Sequence, residues 1–409
     1  MKREPATVEL LAPAGNFEKL RLAVDYGADA VYLGDRHFSL RSAADNFTLE
    51  EMDRAVAYAH SRNVRVYVAC NIYPRTAEEE RIARYLTDLG RIRPDAVIVA
   101  DPGICLMIRE TLPDMPIHLS TQANTTSLKA VRFWETQGVS RINIARELSL
   151  EEIKVITAGC DLEIEAFVHG AVCVAYSGRC LLSNFLTGRD GNRGKCSHPC
   201  RWQYHLSEEL RPGQFLPIEE TGRGSFIFNT RDLCMIDHVD KMIAAGIASL
   251  KIEGRMKGRH YLAATIQTYR EAIDACRRAP GTYQAQDRWR RTLAAVTSRG
   301  YSTHFYFDDP GSAGFNYAGT GPEPTYTLVA LVLDRVGPGR CRGRIKNKLF
   351  CRDRVEILSP GRPARKDIIL EITGADGRPL AFAQPNSEVT LSLNGDCYSD
   401  DLIRRIEKD

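Results

Sequence analysis

The 409-residue chain has no apolar run approaching the roughly 18 residues that cross a bilayer, and its first residues, MKREPATVELLAPAG, lack the apolar core of a secretion signal. These two absences predict a cytoplasmic protein with no membrane partner. There thiols stay reduced, and clustered cysteines serve metal binding or catalysis rather than disulfide bridges. Charge of one sign is also lacking: 55 Lys+Arg face 52 Asp+Glu, a net charge of +3, so any basic surface must be local. No low-complexity tract occurs. Neither an H-E-x-x-H helix nor a G-x-S-x-G elbow is present, which removes two common hydrolase signatures.

What the chain does have is cysteine in one place. Of 12 cysteines, four fall within 28 residues, Cys173, Cys180, Cys196 and Cys200, and the other eight are scattered singly. Four thiolates complete either a tetrahedral zinc site or an iron–sulfur cluster. Zinc sites more often use two tight pairs, and only Cys196 and Cys200 are that close. Cys173 and Cys180 bracket a loop of small residues, VAYSGR, that suits a bulkier cluster. Iron–sulfur, structural zinc and buried thiols without metal all remain open on spacing alone. Cys234, in FNTRDLCMID, is an alternative fourth ligand, in surroundings that read as the first turns of a helix.

Short β-branched runs alternate with longer amphipathic segments from the N-terminus onward, the pattern of repeated βα units. The strand candidates are residues 8–14, 29–34, 64–71, 95–101, 117–122, 140–146, 161–169 and 248–255. Thr48/Glu51, Thr76/Glu79 and Ser149/Glu152 are spaced as capping boxes, and Gly27, Gly138 and Gly246 stand where helices should stop. The expectation is an α/β fold: a (β/α)8 TIM-like barrel over residues 1–307, with a Cys-rich insertion at about 171–228 after the seventh strand. A doubly wound sheet is the alternative. Residues 308–325 read as a linker, and 326–409 as a small antiparallel β-barrel.

Period-2 alternation turns a polar set toward the barrel interior: Asn71, His118, Ser120, Gln122, Arg141, Asn143, Glu163, Glu165, Phe167, His169, Lys251, Glu253 and Arg255. Such a lumen is ordinarily apolar, so this one predicts either internal ion pairs or a wet ligand pocket, and the second is preferred. Glu165, His169 and Glu253 are the candidates for proton transfer. Lys251, Arg255, Arg146, Asn71, Gln122 and His118 are the candidates for substrate binding, the cations suiting an acidic ligand. From Arg340 to Lys366 ten residues are basic and two acidic; on composition alone a solvated face is the commoner reading of Arg342, Arg344, Lys346 and Lys348, with nucleic-acid contact the alternative.

The stretch EAFVHGAVCVAYSGRCLLS, Glu165 to Ser183, resembles the signature of the collagenase-like peptidases. LLAPAGNFEKLRLAVDYGADAVYLG, NRGKCSHPCRW, SLKIEGRMKGRHY and RIKNKLFCRDRVEILSP extend the resemblance over nearly the whole chain. It implies oxygen-independent RNA hydroxylation by a 4Fe-4S enzyme, with Cys173, Cys180, Cys196 and Cys200 as ligands. The branch resembled forms 5-hydroxyuridine at the wobble position, uridine 34, in the anticodon loop of tRNA, with prephenate as oxygen donor. The alternatives are a hydroxylase acting on ribosomal RNA, a peptidase using Cys173 or Cys180 with His169, and an RNA-binding scaffold with structural zinc.

Overall fold

The computed structural model describes residues 8–40, 45–202, 230–296, 298–307 and 326–407. Eight parallel strands close into a barrel: β1 Glu9–Pro13, β2 Ala30–Gly34, β3 Arg65–Cys70, β4 Ala96–Val99, β5 Ile117–Leu119, β6 Arg141–Asn143, β7 Glu163–Ala171 and β9 Ser249–Ile252. Each pairs with the next in sequence, and β9 bonds both β7 and β1, so the ring has no free edge and the doubly wound alternative is excluded. Helices at Phe17–Asp25, Leu49–His60, Glu79–Ile92, Pro102–Thr111, Leu128–Thr136, Leu150–Ala158 and Arg259–Arg278 alternate with the strands. Their apolar stripes and the outward faces of the strands form one continuous core.

Local signals act largely where the sequence puts them. Thr48/Glu51 and Ser149/Glu152 form reciprocal capping boxes, and Gly27 and Gly246 end helices at φ +101° and +83°. Thr76/Glu79 does not form one. A 3-10 turn at Thr76–Glu78 moves the capping carboxylate to Glu78, which accepts from the Arg75 amide at 2.8 Å.

Two short strands, β8 Asp232–Cys234 and β10 Tyr301–Ser302, were not foreseen. Strand β7 runs nine residues and overshoots the rim, where its last three pair antiparallel with β8 while β10 pairs parallel with β8. Cys234 therefore ends a strand rather than entering a helix.

The second domain is built from β11 Tyr326–Gly337, β12 Arg340–Ile345, β13 Leu349–Phe350, β14 Arg354–Ser359, β15 Arg362–Ile368, β16 Glu371–Thr373, β17 Pro379–Leu380, β18 Phe382–Ala383, β19 Glu388–Ser392 and β20 Leu402–Ile406. Eight of these form one antiparallel sheet in the order β15-β14-β20-β11-β12-β19-β16-β17, and β13 and β18 form a separate ribbon. Val329, Cys341, Val355, Ile357, Ile372 and Leu391 are among its own core. The domain is seated on the barrel by apolar contact of Leu358 and Leu402 and by the Tyr26 hydroxyl, which donates to the carbonyls of Leu358 (2.9 Å) and Asp400 (3.2 Å). The 308–325 linker and most of the insertion beyond Trp202 lie outside the described residues.

Candidate functional site

Looking down the barrel from the amino ends of its strands, the first layer is a closed ion network. Arg141 reaches Glu9 at 2.6 Å, Glu163 at 2.6 Å and Glu165 at 3.7 Å. Arg65 meets Glu9 at 2.5 Å, and Lys251 meets Glu165 at 2.7 Å. Three carboxylates thus face three cations, and the Tyr67 and Ser249 hydroxyls donate to the remaining Glu9 lone pairs at 2.7 Å each. Burial pushes the Glu9 carboxyl up, but Arg141 and Arg65 outweigh it and hold it below the ordinary range. Pairing is what makes the layer tolerable, since one stranded charge at this depth costs about 3–5 kcal/mol.

His118 belongs to this layer. Its ring packs edge-on to Tyr67 at 4.5 Å, and burial, reinforced by Arg141, Lys251 and Arg65, keeps it neutral. Glu165 lies here too, fully buried between Lys251 and Arg141. Neither lines the open part of the lumen: the acid's partners hold it below the cavity.

Above the network, at the carboxyl ends of the strands, is a polar cavity lined by Asn71, Gln122, Asn143, Arg146, Phe167, Lys251, Glu253 and Arg255, among others. Asn71 is fixed by bonds to the Leu40 amide and the Ser120 hydroxyl at 3.0 and 3.3 Å. Arg255 donates to Ser39 at 3.1 Å and to the Leu40 carbonyl. Arg146 stacks 4.8 Å above the Phe167 ring, and the Lys251 ammonium sits 4.6 Å over Tyr32. The amide oxygens of Gln122 and Asn143 are buried without a hydrogen-bond partner. The cavity therefore offers an anion Arg146, Arg255 and the Lys251 ammonium it shares with Glu165, and offers a donor two unmet acceptors.

His169 is elsewhere. A bulge in β7 pairs Phe167 with Lys251 but His169 with Ile252, so the alternation that carries Glu165 and Phe167 inward turns His169 out. Its imidazole is enclosed by Tyr261, Tyr269 and Tyr301, with the Tyr269 hydroxyl 3.3 Å from Nδ1, and burial pushes its pKa down to about 3. The expected catalytic role of His169 is corrected on this geometry: a fully buried imidazole outside the lumen reaches no cavity ligand.

The cysteine segment is strapped across the rim. Arg193 forks onto Glu78 at 2.8 and 2.9 Å and donates to the Tyr73 carbonyl at 2.9 Å. Arg146 donates to Ala171 and Ser177 at 3.1 and 3.5 Å, so one arginine joins the strap to the cavity. Gly178 packs so tightly on the Gln122 carbonyl that a Cβ would lie 2.3 Å from it. The Ser183 hydroxyl accepts from the Ser197 amide at 3.1 Å, and Asn192 donates to the Cys180 carbonyl at 3.0 Å. Burial pushes the Cys200 thiol up, Arg201 opposes, and Cys173, Cys196 and Cys180 add to the rise, so the other three sulfurs each lie within electrostatic reach of Cys200. The His198 amide points at Cys196 Sγ, 3.4 Å away. Cys234 is not among them. It faces Tyr269 at 3.8 Å, its thiol pushed up to about 11 by burial.

Four soft donors, an amide aimed at one sulfur and a neighbouring arginine suit an anionic thiolate-bound group. Among the described residues no three Cys, His, Asp or Glu side chains stand ready as a metal shell, so binding would have to tighten the strap. Of the candidate RNA contacts, Arg342 and Arg344 are paired with Asp334 and Glu388, at 2.6 and 2.9 Å, whereas Lys348 lies over Phe350 and Phe382. For Lys346 burial, Arg259 and Arg344 depress the pKa.

Sequence reading missed Glu78, Tyr73 and Arg193, because residues about 115 apart with no shared motif signal nothing until the strap is laid on the rim. It also missed Asp232, buried with Arg299 and Lys257 beside the strap.

The chain is 39% identical over 399 residues, 97% of its length and 94% of the relative's, to the tRNA hydroxylation protein P1 of Bacillus subtilis. It is 39% identical over 86% of both chains to the tRNA hydroxylation protein P of Escherichia coli. The 23S rRNA 5-hydroxycytidine C2501 synthase of E. coli is 36% identical over 66% of this chain and 39% of its own. Residues 15–316 match the profile of peptidase family U32 and residues 324–404 that of its C-terminal domain, and the chain belongs to that family.

Proposed function

We propose that the chain is an RNA-modifying hydroxylase that forms 5-hydroxyuridine at position 34 of tRNA, with a 4Fe-4S cluster on Cys173, Cys180, Cys196 and Cys200 and prephenate as oxygen donor. The observation that carries the reading is a strap that sets Cys173, Cys180 and Cys196 within electrostatic reach of Cys200 and is joined through Arg146 to a cation-lined cavity. The names of the similar tRNA and ribosomal RNA hydroxylation proteins support it. An iron–sulfur cluster held there would supply iron and single-electron chemistry.

The chain's own groups supply the rest. Arg146, Arg255 and Lys251 bind the two carboxylates of the small acid through charge-assisted bonds. Gln122 and Asn143 accept from its hydroxyl or from a nucleobase N–H. Glu253, the one carboxylate lining the cavity among the described residues, is the proton carrier. A uridine in an anticodon loop is already unpaired, so flipping it toward the rim costs least there. The peptidase alternative lacks its base, because His169 is sealed away from Cys173 and Cys180 by three tyrosines.

Two measurements test this. Deleting the gene and analysing tRNA nucleosides by mass spectrometry should show loss of 5-hydroxyuridine derivatives; unchanged levels in a host without a redundant enzyme would refute the substrate. Anaerobic purification should give brown protein with broad absorption near 400 nm that disappears in a Cys173→Ser/Cys200→Ser variant, whereas colourless protein with one zinc would mark a scaffold.

A further inference from the structure

The β13–β18 ribbon has two faces. Its inward residues, Leu349 and Ala383, are buried in the core of the second domain, and its outward residues are Phe350 and Phe382, directly opposite each other. Outward positions on a solvated ribbon are expected to be polar. Here both are aromatic, 40% and 39% exposed, with centroids 5.9 Å apart and planes tilted by 47°. Lys348 adds a charge: its ammonium is 4.4 Å from the Phe382 centroid and 5.1 Å from that of Phe350. A cross-strand aromatic pair helps hold a ribbon together, but that needs neither the exposed ring faces nor the cation.

The surroundings choose the occupant. Asn347, Lys348 and Arg352 beside the rings are exposed, and Lys346, Arg344 and Arg259 crowd together toward the barrel, within the segment where ten basic residues face two acidic ones. A pair of partly exposed aromatic rings with an ammonium lying over them matches alternating bases and phosphates of an unpaired strand, for which stacking gives affinity without sequence reading.

We propose that Phe350 and Phe382 form a stacking platform for unpaired RNA bases, with Lys348 placed for the adjoining phosphate. The platform rests on the RNA-modifying reading above and adds a second point of RNA contact, on the domain that does not carry Cys173, Cys180, Cys196 and Cys200. It explains why Arg342 and Arg344 of β12, already paired with carboxylates, need not supply the grip.

The test is fluorescence anisotropy of the full-length protein with labelled unmodified tRNA, independent of hydroxylation. Phe350→Ala/Phe382→Ala should raise Kd about tenfold or more, and Lys348→Ala should lower the slope of log Kd against log salt by about one charge. Phe350→Leu/Phe382→Leu keeps apolar volume but removes the π faces, so it should melt near the wild-type temperature and still bind weakly, while Phe382→Trp should retain binding. Wild-type affinity in the leucine variant would overturn the platform while leaving the enzyme reading intact. Absence of tRNA binding by the wild-type protein would instead overturn the RNA reading on which it rests.

Discussion

His169 shows how one inserted residue reassigns a side chain. Strand periodicity places it in line with Glu165 and Phe167, and the β7 bulge sends it to the outer face, where its ring is sealed under tyrosines. With its pKa at about 3 when folded against an ordinary 6.5, the unfolded chain binds a proton over that interval that the folded chain does not. Its contribution to stability is therefore complete above pH 6.5 and declines as pH falls toward 3. His169→Gln should flatten the fall of unfolding free energy with acidification by about one proton, roughly 1.4 kcal/mol per pH unit, in urea titrations at pH 4 to 6.5. An unchanged slope would show that the imidazole titrates normally in the fold.

At the scale of elements, the strap is the part of the molecule with least regular structure to hold it. The helix at Leu182–Thr187 has six residues, and positive-φ glycines at 178, 188 and 194 punctuate the chain, so side-chain bonds to the rim do the positioning. The Arg193–Glu78 fork is bidentate and part-buried, worth about 1.5–3 kcal/mol of resistance to local opening rather than to global unfolding. Arg193→Ala should make the half-buried Cys180, Cys196 and Cys200 of the metal-free protein react about tenfold faster with iodoacetamide, while the already exposed Cys173 changes little, the buried Cys70 stays inert and the main thermal transition moves little. Equal alkylation rates would mean that the fork does not govern the strap.

Over the whole molecule, the second domain is locked to the barrel through few polar contacts, and Tyr26 makes two of them. Tyr26→Phe strands the carbonyls of Leu358 and Asp400 and should cost about 1–3 kcal/mol, seen in calorimetry as a lower and broader transition. A transition identical to wild type would place the coupling elsewhere, for example in the Arg404–His260 contact at 3.0 Å. The alternation of strand and helix runs, two of three capping boxes, the separate β-rich second domain and the cysteine cluster were all legible in the linear chain, because each depends on near neighbours and fixed periods. So was the polar character of the lumen. The chain could not show that this polarity divides into a paired ion layer and an open cavity, since that follows from which of Glu9, Arg65, Arg141, Glu165 and Lys251 meet across strands far apart in sequence. Nor could it show that Cys234 leaves the sulfur group, that Glu78 holds Arg193, or that Phe350 faces Phe382. Local rules decide which residues form elements; long-range pairing in three dimensions decides which side chains meet, and it is that meeting that divides buried support from available chemistry.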